Sequence, residues 1–126
     1  MASFEDKVAL VTGASSGIGR ATAVAFGTAG ARVALTDVQV GLGEECAQEL
    51  RERGVDAHFF PADMAAPDEV EEMVGAVVRH WGRLDVAFNN AGIEGETAPV
   101  AECTATNWDR VLAVNLTGVF HCMRHE

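Results

Sequence analysis

An apolar run that ends in a glycine-spaced turn is the feature that most constrains how this chain can fold. Residues 8–21 read VALVTGASSGIGRA, with glycines in the spacing G-x-x-x-G-x-G at positions 13, 17 and 19. The first glycine permits a tight exit from a strand, and the later ones remove side chains where a pyrophosphate and a facing strand must come close. A helix starting near Ser16 or Gly17 would add the positive end of its dipole. The stretch predicts a strand, a dinucleotide-binding turn and a helix, with a ligand-free packing turn as the alternative.

Short apolar runs and helical patterns alternate along the rest of the chain. Four runs rich in Val, Leu, Ala and Phe predict strands at residues 8–11, 32–36, 57–60 and 84–88. Apolar residues with helical spacing follow Pro67 and end before Gly82, which predicts a helix with a proline start and a left-handed glycine cap. Strand–helix repeats of this kind form right-handed crossover units, and all-apolar strands suit a sheet buried on both faces. We therefore expect an α/β fold built on a doubly wound parallel sheet.

Two other helices have less regular boundaries. Glycines weaken the start of the second helix, so we predict it from about Glu44 to Arg53. A long loop at residues 91–103 precedes the last helix. That helix is predicted to open near Thr104 or Thr106 and to continue to the last residue.

The charge balance disfavours several classes of partner. The formal net charge is −10 and Lys7 is the only lysine, so no basic stripe is available for nucleic acid or an anionic membrane surface. No apolar stretch approaches the roughly 20 residues that span a bilayer, and the opening MASFEDK lacks a signal-peptide layout. We expect a cytoplasmic protein without nucleic-acid or membrane partners, forming one domain over residues 1–126 because no linker divides it.

Cysteines and histidines give no disulfide or metal pattern. Cys46, Cys103 and Cys122 are odd in number and lack C-x-x-C spacing, which predicts reduced cysteines that fill the core. His121 and His125 lie one helical turn apart, a spacing that allows two histidines to bind one metal ion. A fraying helix end with solvated histidines is the favoured interpretation, so no metal is predicted.

Asp37 ends the second predicted strand, where a carboxylate can accept both hydroxyls of an adenosine ribose. A turn or helix-cap aspartate is the alternative when the residue is taken in isolation. Together with the glycine turn, the binding interpretation is favoured. A carboxylate repels a 2′-phosphate and Val38 offers no arginine to bind one, so NAD is predicted in preference to NADP.

Two further motifs, NNAG at residues 89–92 and VNLTG at 114–118, complete a pattern that resembles the short-chain dehydrogenase/reductase family. The resemblance runs from Lys7 to the last residue and covers the first half of the family's pattern. It implies a Rossmann-like doubly wound parallel sheet, truncated after about four strands in the order 3-2-1-4, and thus an incomplete NAD-binding domain. It also implies an oxidoreductase that transfers a hydride between nicotinamide and an alcohol or carbonyl substrate.

By this resemblance, residues after several strands hold the cofactor. Asp37 would select NAD, Asp63 would contact the adenine ring, and Met64 would pack beside it. The alternative for Asp63 is an N-cap of the helix that begins at Pro67. The turn residues assigned to the cofactor are Gly13, Ser15, Ser16, Gly17, Ile18 and Gly19.

Asparagines mark the two later motifs. By resemblance, Asn90, Ala91 and Gly92 pass along the cofactor's ribose, although Asn and Gly at a strand end also make a turn. Asn115 has apolar neighbours in the last helix, where an unpaired amide would cost about 1–3 kcal/mol. The resemblance makes Asn115 the asparagine that kinks this helix and holds a water of the proton relay, and the one catalytic residue expected in the chain.

The family's remaining catalytic residues have no counterpart in the sequence. Proton transfer in the family uses a tyrosine, a lysine and a serine, whereas this chain has no tyrosine and Lys7 precedes the first strand. Turnover is therefore not assigned to this polypeptide alone, and a small-molecule substrate is expected only in a longer chain. A non-catalytic NAD-binding or interaction module, and a non-functional gene fragment, are the alternatives. The fourth strand would be an unpaired edge, and the last helix a candidate homo-oligomer surface.

Overall fold

A four-stranded parallel sheet forms the centre of the protein. The computed structural model describes residues 3–126. The strands are β1 (Val8–Thr12), β2 (Arg32–Thr36), β3 (Ala57–Phe59) and β4 (Val86–Phe88). They lie in the order β3-β2-β1-β4, and each neighbouring pair is parallel. The predicted parallel sheet and its strand order are confirmed.

Helices cover both faces of the sheet. They are α1 (Gly17–Thr28), α2 (Val40–Glu52), α3 (Pro67–Trp81), α4 (Ala105–Leu112) and α5 (Gly118–His125). A π-helical segment, Ala113–Thr117, joins α4 to α5 without a break in the helical path. A short 3-10 turn, Val100–Glu102, lies in the long loop before α4. The hydroxyl of Thr104 accepts a hydrogen bond from the N–H of Asn107 and caps α4, at one of the two predicted openings.

Successive residues of β1 point to two separate cores, one on each face of the sheet. Ala9 and Val11 pack with residues of α1 and α2, whereas Val8 and Leu10 pack with residues of α3 and α5. All four side chains are fully buried, as expected for a central strand of a parallel sheet. This burial fixes the carboxyl end of β1, where the glycine turn begins.

α3 follows the sequence pattern, whereas tertiary packing changes the start of α2. α3 begins at Pro67 and is followed by Gly82 with a φ of 77°, so the proline start and left-handed cap are confirmed. α2 begins at Val40, earlier than predicted, so its predicted start was wrong. Position 43, inside this helix, requires a glycine because a Cβ there would overlap the ring of Phe59. Close packing of α2 on β3 outweighs the low helix propensity of glycine.

The three cysteines occupy different surroundings. Cys46 and Cys122 are buried as predicted, and burial raises the pKa of both thiols, that of Cys122 to about 11. Cys103 lies in the loop before α4 and is exposed, so its prediction as a core residue was wrong.

Within residues 3–126, no three His, Cys, Asp or Glu side chains are grouped as a metal site requires. In the same part of the chain, no helix is both long and apolar enough to cross a membrane.

The outer edge of β4 is unpaired within residues 3–126, and apolar residues of the last helix are exposed. Among the described residues, β4 pairs with β1 alone. Leu116, Phe120 and Met123 are 65, 57 and 66% exposed. Apolar side chains therefore face solvent along the last helix, and self-association through this helix stays a prediction.

Candidate functional site

A cleft of about 810 Å³ opens at the carboxyl ends of the strands. The connection after β1 leads to the face covered by α1, and the connection after β4 leads to the opposite face, which leaves a crevice between these two neighbouring strands. The volume lies within the range of about 300–1,000 Å³ that is typical of ligand pockets. The cleft is lined by Gly13, Ser16, Gly17, Ile18, Asp37, Val38, Gln39, Ala62, Asp63, Met64, Ala65, Asn90, Ala91, Gly92, Ile93, Glu94, Arg110 and Val114.

The glycine turn is compact because its residues approach one another and Asn90 closely. Gly13 and Gly17 have positive φ values of 64° and 55°. A Cβ at Gly19 would overlap the carbonyl oxygen of Gly13 and lie 2.7 Å from Nδ2 of Asn90. A Cβ at Gly17 would meet no atom within 4 Å. Gly19 is therefore required by close packing, whereas Gly17 is required by its backbone conformation and stands beside open space.

Hydrogen bonds join the end of β4 to the end of β1. Nδ2 of Asn90 donates to the carbonyl oxygens of Thr12 (3.2 Å) and Gly13 (3.4 Å). The N–H of Ala91 donates to Oγ1 of Thr12 over 2.9 Å. These bonds hold Asn90, Ala91 and Gly92 beside the glycine turn, where all three line the cleft. The role of Thr12 was not predicted, although a lone hydroxyl at the end of an apolar strand was the available signal.

The N-terminus of α1 lies at the cleft. The helix begins at Gly17, and Ser16 occupies the N-cap without a side-chain capping hydrogen bond. The first N–H groups of a helix have no intrahelical partner and carry the positive end of the dipole, so they can bind an anion without a lysine. The side chain of Ile18 is 72% exposed beside these donors. The arrangement provides backbone donors next to an apolar contact.

Ser15 lies behind the turn rather than in the cleft. It is 4% exposed, and both its hydroxyl and its N–H donate to Oδ2 of Asp37, over 2.7 and 3.2 Å. The N–H of Gln39 donates to Oδ1 of Asp37 over 3.0 Å. Asp37 therefore shapes the loop after β2 and also lines the cleft, where its contact with a ribose stays a prediction. Because a carboxylate offers about four acceptor positions, Oδ1 keeps one for a ligand.

Asp63 and Met64 form the wall of the cleft that follows β3. Oδ1 of Asp63 accepts the N–H of Ala65 over 2.9 Å, and the carbonyl oxygen of Asp63 accepts the N–H of Ala66. Ala66 is the N-cap of α3 and has no side-chain capping bond, so the alternative prediction of Asp63 as the N-cap was wrong. Met64 is 5% exposed, and its Sδ lies 3.4 Å from Sγ of Cys122. A largely buried Met64 thus gives this wall a fixed apolar base.

Asn115 lies in the π-helical segment and is bonded to the loop after β4. Its Oδ1 accepts the N–H of Ile93 over 2.8 Å, and its Nδ2 donates to the carbonyl oxygen of Ile93 over 2.7 Å. The amide is exposed and paired, so its expected apolar surroundings were wrong. Single π-helical turns inside α-helices occur frequently at functional sites. Here the turn places Asn115 where it fixes Ile93, which lines the cleft.

Three of the predicted residues support the cleft without lining it. Ser15 holds Asp37, Gly19 allows the turn to close, and Asn115 holds Ile93. Other lining residues were not predicted as part of the site, among them Glu94, Arg110 and Val114, the last of which begins the VNLTG motif. Helical spacing was the available signal for the last two, since Arg110 and Val114 lie one turn apart on the last helix.

The sequence and the fold match one family of proteins. The model of the short chain dehydrogenase family matches residues 7–125, so the chain belongs to this family. Tropinone reductase-like 2 from Erythroxylum coca is 44% identical over 125 residues, a match that covers 97% of this chain and 44% of the relative. The chain spans about half the length of the curated relatives it matches.

Solved structures of the family share this fold and bind two different cofactors. A short chain dehydrogenase/reductase from Burkholderia phymatum, in complex with NAD, has a TM-score of 0.94 and 34% identity over 99% of this chain and 44% of its own. A metagenomic short-chain oxidoreductase, in complex with NADP, has a TM-score of 0.93 and 35% identity over 98% of this chain and 56% of its own. The fold alone is therefore compatible with either cofactor in the family.

Proposed function

We propose that this chain supplies the NAD-binding part of an oxidoreductase that transfers a hydride between nicotinamide and an alcohol or carbonyl carbon. The observation that carries the proposal is the glycine turn, which meets the N-terminus of α1 and the side chain of Asn90 at the crevice between β1 and β4. Family membership supports the reaction class. A cytoplasmic location, a small-molecule substrate and assembly into a homo-oligomer stay predictions.

The glycine turn is the proposed diphosphate site. Gly13, Ser16, Gly17 and Ile18 line the cleft at the N-terminus of α1, where backbone N–H groups and the helix dipole favour a negative group. Gly19 acts indirectly, because a side chain there would push the turn away from Asn90. A diphosphate bound here needs no basic side chain, which agrees with the single lysine of the chain.

Asp37 is the proposed determinant of NAD over NADP. Its carboxylate lines the cleft after β2, and Oδ1 retains acceptor capacity for a ribose hydroxyl. A second ribose hydroxyl would use Oδ2 if the hydroxyl of Ser15 turned away, since the Ser15 N–H alone would still hold that oxygen. The 2′-phosphate of NADP would stand against a negative charge, which disfavours it.

The two ends of the cleft fit the two halves of the dinucleotide. Asp63 and Met64 lie after β3, on the same side as Asp37, and form the proposed adenine subsite. Asn90, Ala91 and Gly92 lie after β4 and would pass along the cofactor's ribose. The line from β3 through β2 and β1 to β4 therefore runs from the adenine end to the nicotinamide end.

The residues of this chain bind and orient the cofactor. When bound, NAD supplies the acceptor for a hydride and, in its reduced form, the donor. Asn115 fixes both backbone groups of Ile93 and is proposed as a positioning residue for the loop after β4. Its role in holding a water of a proton relay stays a prediction.

Calorimetric titration of NAD+ and NADP+ into the purified protein tests the proposal. We expect NAD+ to bind more tightly than NADP+. Asp37→Asn should weaken NAD+ binding about 10- to 150-fold, because hydrogen bonds to charged groups contribute about 1.5–3 kcal/mol. It should also narrow the preference for NAD+ over NADP+. Asp68→Asn is the matched control, since Asp68 is exposed on α3 and does not line the cleft.

The outcomes separate the parts of the proposal. A folded protein, shown by circular dichroism, that binds neither dinucleotide would overturn the binding function. Tighter binding of NADP+ than of NAD+ would overturn the role of Asp37 and leave the dinucleotide site standing.

A further inference from the structure

Arg110 stands in acidic surroundings at the cleft. The charged residues lining the cleft are Asp37, Asp63, Glu94 and Arg110, so Arg110 is its one basic residue in the described part of the chain. The ion pairs formed within residues 3–126 use Arg20, Arg32, Arg79 and Arg83, and none uses Arg110. Arg110 is exposed. Its guanidinium is therefore available to a ligand in the cleft.

The packing of the last helix places Arg110 at the end of the cleft formed by Met64. A Cβ at Gly118 would lie 2.7 Å from the carbonyl oxygen of Met64, and Sγ of Cys122 lies 3.4 Å from its Sδ. These contacts anchor α5 on Met64. Val114 lies in the π-helical segment and packs against the core that contains Met64, and Arg110 lies about one turn before it, on α4. Both Arg110 and Val114 line the cleft. Arg110 is thus the next residue outward from the apolar base that Met64 and Val114 provide.

We propose that the guanidinium of Arg110 lies against the adenine ring and forms the outer wall of the adenine subsite. This inference rests on the proposed NAD-binding function. A guanidinium is planar and weakly hydrated, and it stacks on aromatic faces. Every nucleobase offers such a face. The neighbouring carboxylates of Asp63 and Glu94 line the same cleft and favour a cation there.

A contact with the base is favoured over a contact with the diphosphate. The diphosphate donors lie at the N-terminus of α1, which packs on one face of the sheet. Arg110 lies about one turn from Val114, which packs against Ala62 and Met64 on the other face. The diphosphate contact is therefore an outcome that the experiment must distinguish.

The test compares Arg110→Leu and Arg110→Lys with the wild-type protein, using adenosine, AMP and NAD+ as ligands. Leucine removes both the charge and the planar group, and lysine keeps only the charge. We expect both variants to bind all three ligands about 5- to 10-fold more weakly, the range that loss of a stacking or cation–π contact produces. Arg124→Leu is the matched control, because Arg124 is exposed on α5 and does not line the cleft.

Each other outcome overturns the proposal in a recognisable way. Unchanged affinities in Arg110→Leu would show that Arg110 does not contact the ligand. Weaker binding of AMP and NAD+ with unchanged binding of adenosine would assign Arg110 to phosphate, as would full affinity in Arg110→Lys. A wild-type protein that binds none of the three ligands would overturn the proposed function, and this inference with it.

Discussion

The hydroxyl of Ser15 donates a hydrogen bond to Oδ2 of Asp37 over 2.7 Å and ties the glycine turn to the end of β2. Ser15 is buried, and its N–H reaches the same oxygen over 3.2 Å. Asp37 is thereby held at the cleft by a residue that does not itself line it. Asp37, which is proposed to select NAD over NADP, is thus held in place by the turn that is proposed to bind the diphosphate.

Ser15→Ala tests the structural contribution of this hydrogen bond. We expect the free energy of unfolding to fall by about 1.5–3 kcal/mol at pH 7, because the lost hydrogen bond is to a charged group. Urea unfolding gives the value. Ser16→Ala is the control, since the side chain of Ser16 is exposed and makes no capping bond, and it should change the free energy by less than about 0.5 kcal/mol. Equal effects of the two substitutions would contradict the assignment.

Gly19→Ala tests the close approach within the glycine turn. The added Cβ would overlap the carbonyl oxygen of Gly13, so the turn must shift and both stability and NAD+ affinity should fall. Thermal unfolding and calorimetry measure the two effects. Gly41→Ala is the matched control, because a Cβ at Gly41 meets no atom and alanine favours the helix by up to about 1 kcal/mol. A Gly19→Ala protein as stable as Gly41→Ala would refute the packing argument.

Asn115→Ala tests the link between the π-helical segment and the loop after β4. The substitution removes both hydrogen bonds to Ile93, so the backbone N–H of Ile93 should exchange with solvent faster. Hydrogen exchange followed by NMR measures this directly. The amide of Val11, in the centre of the sheet, is the internal reference and should keep its protection. Unchanged exchange at Ile93 would show that Asn115 does not hold this loop.

Asp85 gives a pH-dependent contribution at the opposite end of the sheet. Hydrogen bonds from the Arg83 guanidinium and the Val8 N–H lower the pKa of its carboxyl from 3.8 to about 2. Because the folded-state pKa is depressed, the stabilisation is complete above about pH 4 and is lost as the pH falls toward 2. Asp85→Asn should therefore lower the melting temperature at pH 7 more than at pH 2. A difference that stays constant between these pH values would contradict the assignment.

Sequence reasoning succeeded where a local pattern and tertiary packing require the same residue. β2 occupies the predicted residues 32–36. A short apolar run bounded by polar residues is typical of a buried strand, so the run itself indicates the bounds of the strand. α3 has the predicted bounds because Pro67 and Gly82 act through their own backbone dihedrals. Both features depend on nearest neighbours along the chain, which a sequence displays directly.

The misses depend on residues distant in sequence. The start of α2 was misplaced because Gly43 meets the ring of Phe59, a contact across the fold. Ser15 was assigned to the cleft, but only the folded turn shows that its side chain points back to Asp37. Arg110 was missed because its one-turn spacing from Val114 does not by itself show that the last helix crosses the cleft.

The hydrogen bonds from Asn90 and Ala91 to Thr12 also affect the thermodynamics of binding. They join the two sides of the crevice through atoms of the protein alone, so these segments are ordered before any ligand arrives. Fixing the backbone of one residue costs about 1–2 kcal/mol in conformational entropy. For these segments, that cost belongs to folding and not to binding. Binding at this point therefore does not have to order these segments, and the free and bound forms should superpose closely around Thr12.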